Sequence, residues 1–188
     1  MIYQERRFVM KNGETAVIRS PYPSEAGKML EYIRMMSAET EFVGRYPEEI
    51  RETLEEETDF LKRCCDSADS VQISAFVNGR LAGNASVEPV SNRKKMHHRA
   101  DFGIAILKEF WGLGLGGELT FACLDMAEQM GYEQIELGML EDNEKGYRLY
   151  RKAGFQTWGK LENGFKLKGG SRQAEIFMVK KLGAEDKA

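Results

Sequence analysis

The run from Leu107 to Gly117, Leu-Lys-Glu-Phe-Trp-Gly-Leu-Gly-Leu-Gly-Gly, limits the fold more than any other part of this chain. Gly112, Gly114, Gly116 and Gly117 crowd the junction between a strand-like segment, Ala100 to Leu107, and an amphipathic segment, Glu118 to Met130, that reads as a helix. Glycines at such a junction allow tight turns and present several main-chain N–H groups in one direction. Added to the positive end of the following helix, those groups make a site for phosphate oxygens. The plainer reading of the same glycines is a flexible surface loop.

The segments on either side set the class of fold. Phe8 to Ile18 reads as a hairpin turning at Asn12-Gly13, and Val71 to Val87 as a second hairpin turning at Asn78-Gly79. Pro21 and Pro23 end the first, after which Ser24 is placed to cap a helix to about Ser37, with Met29, Ile33 and Met36 on one face. Pro47 opens a further helical stretch on which Ile50, Leu54, Leu61 and Cys65 recur, with Glu48, Glu49, Glu52, Glu55, Glu56 and Glu57 turned to solvent. After the glycine loop and its helix come a strand from Glu133 to Met139 and a helix from Asn143 halted by Gly154. Two last strands lie within Phe155–Lys168 and Gln173–Leu182. This order predicts one mixed α+β domain over residues 1–188, its sheet mostly antiparallel.

Three phosphate chemistries compete for the loop. A nucleotide triphosphatase loop needs Gly-Lys-Ser/Thr, but Gly117 is followed by Glu118 and Leu119. Gly112, Gly114 and Gly117 satisfy the dinucleotide spacing G-x-G-x-x-G, with Glu136 about 20 residues beyond. Lys108 to Trp111 separate the strand from the first glycine, however, and too few residues follow Glu136 to complete a doubly wound sheet. A coenzyme A site is the third.

For that third reading the residues carry a resemblance. Trp111-Gly-Leu-Gly-Leu-Gly116 resembles the Q/R-x-x-G-x-G/A pyrophosphate loop of the GNAT acetyltransferase superfamily, with Trp111 in place of Gln or Arg. Glu141 to Phe155 is similar to the superfamily's N-x-x-A-x-x-L-Y-x-x-x-G-F segment, Gly146 standing where alanine is common, a harmless exchange. Leu81 to Ala85 resembles its central hairpin, so the likeness runs from about Val71 to Leu182, closest to the ribosomal-protein N-terminal acetyltransferase branch.

The resemblance implies an acetyl-CoA-dependent N-acetyltransferase in which an amine attacks directly, with no acyl-enzyme and no metal. It implies two central strands, near 100–107 and 133–139, that run parallel and diverge around the coenzyme. The cofactor-binding residues would be Ile106, Leu107, Gly112, Leu113, Gly114, Leu115, Gly116, Gly117 and Asn143, with N–H groups near Ile106 facing the developing oxyanion. Tyr150 would protonate the leaving thiolate, and Tyr147, one turn earlier, is its competitor. Asp101 is the favoured base for the amine, with Glu88, His97 and His98 as alternatives. Gly138 stands where another branch carries a glutamate, so that route requires Glu136 or Glu141 instead. A coenzyme A-binding module without catalysis is the other function the same motifs allow.

Charge and cysteines narrow the partners. A net charge of −3 gives no reason to expect nucleic acid and suits a cationic acceptor, whether a small-molecule amine or a protein N-terminus. No apolar run of membrane-spanning length occurs, so no membrane partner is expected. Cys64, Cys65 and Cys123 are too few and too oddly spaced for a disulfide framework, which with the lack of a signal-peptide core at the start points to the cytoplasm. Cys123 falls on a helix core stripe, and the terminal strands offer edges that could pair a homodimer.

Overall fold

Both Asn-Gly dipeptides turn hairpins. The first separates β1 (Arg6–Val9) from β2 (Thr15–Arg19) and the second β3 (Val71–Val77) from β4 (Arg80–Pro89). Asn78 and Gly79 have φ of 50° and 77°, the left-handed pair that matches the twist of the strands they join. The computed structural model describes residues 1–183. Within them follow α1 (Ala26–Glu39), α2 (Leu54–Asp66), β5 (Arg99–Ile106), α3 (Leu115–Gln129), β6 (Gln134–Leu140), α4 (Glu144–Lys152), β7 (Gln156–Lys166) and β8 (Arg172–Lys181).

The eight strands form one sheet in the order β1-β2-β3-β4-β5-β6-β8-β7, and every neighbouring pair except β5 and β6 is antiparallel. The parallel pair is joined only at Arg99–Gln134, Ala100–Ile135 and Asp101–Glu136. Beyond Asp101 the two strands part, as the sequence reading expected, and β5 runs on to Ile106 with its β6-facing side unpaired.

Laterally paired residues share a face of the sheet, which divides it cleanly. Val71, Ile73, Ala85, Val87, Ala100, Phe102 and Ile135 are buried on one face. There Leu119 of α3 approaches Gly83, and Tyr150 of α4 meets Phe102. Gln72, Ser74, Asn84, Ser86, Glu88, Asp101 and Glu136 occupy the other face. Ser74 Oγ donates to Asn84 Oδ1 (2.8 Å), Asn84 Nδ2 to Gln72 Oε1 (2.7 Å), and Gln72 Nε2 to Glu88 Oε1 (3.3 Å). This chain satisfies side chains that would otherwise be buried without partners, Ser74 being fully buried.

Local details depart from expectation in four places. Ser24 caps no helix; a short 3-10 turn from Pro23 precedes α1, and Glu25 accepts from the Tyr22 N–H instead. Pro47 opens only another such turn, while α2 starts at Leu54 behind a Thr53–Glu56 capping box. Glu57, expected to face solvent, is only 5% exposed because it lies one turn before the buried Leu61. Burial, then the charge of Glu52, raises its carboxyl above the ordinary value. Finally, α3 begins at Leu115 rather than Glu118, so Gly116 and Gly117 form its first turn.

Candidate active site

The glycine loop delivers unpartnered amides. Gly112 (φ 79°) and Gly114 (φ 101°) take left-handed conformations, and Gly114 is the N-cap of α3 with no capping side chain. The first helical bond is from Glu118 N–H to Gly114 O (3.2 Å), which leaves the amides of Leu115, Gly116 and Gly117 without a partner inside the helix. A Cβ on Gly114 would lie 3.0 Å from Phe8 Cζ, and one on Gly116 3.1 Å from Leu149 Cδ2. The first glycine therefore fits the loop against the N-terminal hairpin and the second brings α3 close to α4. Leu113 O accepts from Lys11 N–H (3.1 Å), and Leu115 is fully buried. Lys108 and Lys145 flank the loop with Nζ 5.9 and 5.0 Å from the Trp111 ring centre. Directed amides, a helix N-terminus, two lysines and open space at Gly117 suit a diphosphate.

Next to the loop lies the gap between β5 and β6. Leu107 N–H donates to Ala82 O (3.0 Å), toward β4. Leu107 was expected to offer its amide to a ligand; that amide is engaged, and the fully buried side chain packs in the core. Main-chain groups alternate along a strand, so Ile104 and Ile106 turn theirs the opposite way, into the gap. The Ile106 carbonyl accepts from Trp111 Nε1 (2.7 Å), consistent with that orientation, and Trp111 also stacks on Phe42 at 6.4 Å. Across the seam, Tyr32 Oη donates to Ala105 O (2.6 Å) and accepts from Asn84 N–H (3.1 Å), tying α1 to β4 and β5. The Ile104 amide is among the N–H groups near Ile106 that the resemblance directs at the ligand, and the register with β4 fixes which side of β5 it faces.

Tyr150 enters from α4 beneath this gap. Its ring is 8% exposed and meets Phe102 and Phe155 edge-on, with centroids 6.1 and 5.9 Å away. Its hydroxyl has no hydrogen-bond partner among the described residues, and burial pushes the phenol up to about 12. Tyr147 is on the exposed side of the same helix. Asn143 caps α4, its Oδ1 accepting from Gly146 N–H (2.9 Å). Gly146 is not a harmless exchange here, since a Cβ would sit 2.7 Å from Asn143 Nδ2 and displace the cap.

On the polar face, at the point where β5 and β6 part, a cavity of about 450 Å³ is lined by Glu88, Asp101, Glu136, Glu175, Trp158 and Phe177, among others. Its carboxylates are not equivalent. Arg99 grips Glu136 with Nε and a second nitrogen (2.6 and 2.7 Å), Gln134 adds a third bond, and the Arg99 contact holds that carboxyl below its ordinary value. Glu88 accepts from Gln72. Asp101, laterally between Glu88 and Glu136, has no hydrogen-bond partner among the described residues. Its side chain stands on the exposed side of β5 in the open cavity, and its carboxyl is pushed up to about 6, first by partial desolvation among its neighbours and then by the charges of Glu88 and Glu136. His97 is exposed beside Asn92, and His98 precedes β5 at the end away from the glycine loop. Glu141 pairs with Lys160.

This geometry has counterparts. The family model described as "Acetyltransferase (GNAT) family" matches residues 33–155, which include both the glycine loop and Tyr150. This chain belongs to the GNAT acetyltransferase family. It is an N-acetyltransferase, with acetyl-CoA as co-substrate. The L-amino acid N-acetyltransferase AaaT of Escherichia coli K12 is 27% identical over 99 residues, covering 52% of this chain and 60% of that enzyme. Spermidine N(1)-acetyltransferase of the same organism is 25% identical over 146 residues, 77% of each chain. A GNAT-family acetyltransferase of known structure from Streptococcus pneumoniae superposes with a TM-score of 0.85 at 28% identity, covering 89% of this chain and 99% of that one. Ribosomal-protein-alanine N-acetyltransferase from Brucella melitensis shares the fold, with a TM-score of 0.76 at 22% identity over 88% and 99%. Among the described residues no helix is long and apolar enough to cross a membrane.

Proposed function

We propose that the chain transfers the acetyl group of acetyl-CoA directly to a primary amine that enters from the Asp101 cavity, with Tyr150 as the acid. The single observation carrying this reading is the placement of two sites on opposite faces of the sheet at one gap. Asp101 marks the last paired position of β5 and β6 on the polar face, and Tyr150 touches Phe102, the next residue, on the apolar face. Coenzyme A supplies an acetyl group activated as a thioester. The amides of residues 112–117 hold its diphosphate, and the unpaired edge of β5 offers hydrogen bonds to the extended, amide-bearing arm, as a strand edge does for a peptide.

The roles then follow from distance. A rise of about 3.3 Å per residue puts Ile104 roughly 7 Å and Ile106 roughly 13 Å beyond Phe102. A carbonyl close enough to use Tyr150 therefore meets the Ile104 amide, which stabilises the charge growing on its oxygen, while Ile106 holds the arm. A donor so aimed contributes about 10²–10³ in rate. Tyr150, with its proton retained through the neutral range, delivers it to the departing sulfur. An alkylamine near pKa 10.4 is only about one part in 10³ neutral at pH 7, so attack requires a base. Asp101 is ionised just above pH 6 and accepts that proton, with Glu88 held in place behind it by Gln72.

The test is thiol release from acetyl-CoA with and without a panel of primary amines. One thiol released per amine acetylated, and none without amine, is the expected result. Release that does not depend on amine, or no release from any member while acetyl-CoA still raises the melting temperature, refutes the reading in favour of a binding module.

A further inference from the structure

One carboxylate in the cavity has no part in the chemistry above. Glu175 comes from β8, not from β5 or β6, and its carboxylate forms no ion pair or hydrogen bond among the described residues. Its position depends on a glycine. A Cβ on Gly138 of β6 would lie 2.5 Å from Glu175 Oε1 and 3.4 Å from its carboxyl carbon, so the carboxylate occupies space that a side chain at 138 would claim. Gly164 on β7 clears the other flank, since a Cβ there would be 2.7 Å from Glu175 Cβ. Two bare positions on neighbouring strands thus let this acid lie flat across the cavity.

Its surroundings indicate what it would meet. Phe177, directly opposite Gly138 on β8, and Trp158 on β7 stand 5.5 Å apart, and Trp158 is 61% exposed. Carboxylates and aromatic faces together suit an ammonium on a short hydrocarbon chain. Glu136, two residues before Gly138, is already neutralised by Arg99 and is not free for a second cation. Asp101 lies one strand away from Glu136. Two residues of rise and one strand spacing separate the Asp101 carboxylate from the Gly138 position by roughly 8 Å.

We propose that Glu175 is a specificity residue that binds a second ammonium on the acceptor, so that the preferred substrate is an α,ω-diamine or a chain carrying one. Its reacting nitrogen lies at Asp101, its methylenes on Trp158 and Phe177, and its distal cation on Glu175. The inference rests on the transfer reading above and adds the charge of the acceptor to it.

The experiment measures kcat/KM for 1,4-diaminobutane and for butylamine with wild type, Glu175→Gln and Gly138→Ala. Wild type is expected to favour the diamine by about tenfold or more, the size of one charge contact at a half-open site. Glu175→Gln should reduce that preference about tenfold through KM, leaving butylamine within twofold. Gly138→Ala should do likewise, because its methyl displaces the same carboxylate. Equal turnover of the two amines by wild type, or an equal loss for both in Glu175→Gln, overturns this proposal while leaving transfer intact. If neither amine nor any other releases thiol, although acetyl-CoA binds, the transfer reading falls and this one with it.

Discussion

Replacing Tyr150 by phenylalanine separates the catalytic from the structural use of one buried ring. The hydroxyl has no protein partner among the described residues, so its removal breaks no internal hydrogen bond, and the edge-on contacts to Phe102 and Phe155 remain. The stability change should stay within about 0.5 kcal/mol, a shift of under about 2 °C for a chain of this size. Turnover should behave differently. Because burial holds the phenol near 12, about one molecule in 10⁵ has lost the proton at pH 7, so the donor is loaded in essentially every complex. A positioned acid contributes about 10²–10⁴, or roughly 2.7–5.5 kcal/mol of barrier. Steady-state kinetics should therefore show kcat down by that factor and KM for acetyl-CoA within about twofold, since the proton is needed only as the sulfur departs. Differential scanning fluorimetry on the same preparation checks the fold. A kcat within threefold of wild type, with the melting temperature unchanged, would show that Tyr150 is only a packing residue.

Four other expectations follow from the same geometry. The acid limb of kcat/KM should have an apparent pKa of about 6 and vanish in Asp101→Asn, and a limb that persists in that variant assigns the base elsewhere. Because the folded-state value is raised, Asp101 favours the fold below about pH 4 and loses that advantage as pH climbs through 6. Asp101→Asn should accordingly raise the melting temperature more at pH 8 than at pH 4, and the opposite order would contradict the burial argument. Gly114→Ala forces a Cβ to within 3.0 Å of Phe8 at φ 101°, and should weaken acetyl-CoA binding about tenfold by calorimetry with about 1–2 kcal/mol lost in stability. In Trp158→Phe, the remaining Trp111 reports on the gap through its bond to the Ile106 carbonyl, so coenzyme A should change its fluorescence in a saturable way. A flat titration would place the coenzyme away from β5.

What could be read from the chain was mostly local. Two Asn-Gly turns, the glycine junction and the Asn143–Tyr150 spacing each depend on residues a few positions apart: both dipeptides turn hairpins, the glycines join β5 to α3, and Asn143 caps the helix that carries Tyr150. Long-range pairing hid the rest. Periodicity places Glu57 with five outward glutamates because it does not reveal which flank of a helix another helix covers. The Leu107 amide was assigned to a ligand, but the register of β4, 25 residues earlier, directs it to Ala82. Gly146 looked neutral until the folded-back Asn143 side chain occupied its Cβ position. The cavity is the clearest case: Glu88, Asp101, Trp158 and Glu175 come from β4, β5, β7 and β8, and no spacing rule links them. In sequence Gly138 removes an acid from β6, whereas in the fold the adjoining strand places the Glu175 carboxylate over it.

A crystal structure with coenzyme A bound is the most direct test of the account. It should show diphosphate oxygens about 3 Å from the amides of residues 112–117, the arm lying along β5 in the gap, and the sulfur within about 3.5 Å of the Tyr150 hydroxyl. A coenzyme seated elsewhere, or a sulfur on the far side of β5 from Tyr150, would contradict it.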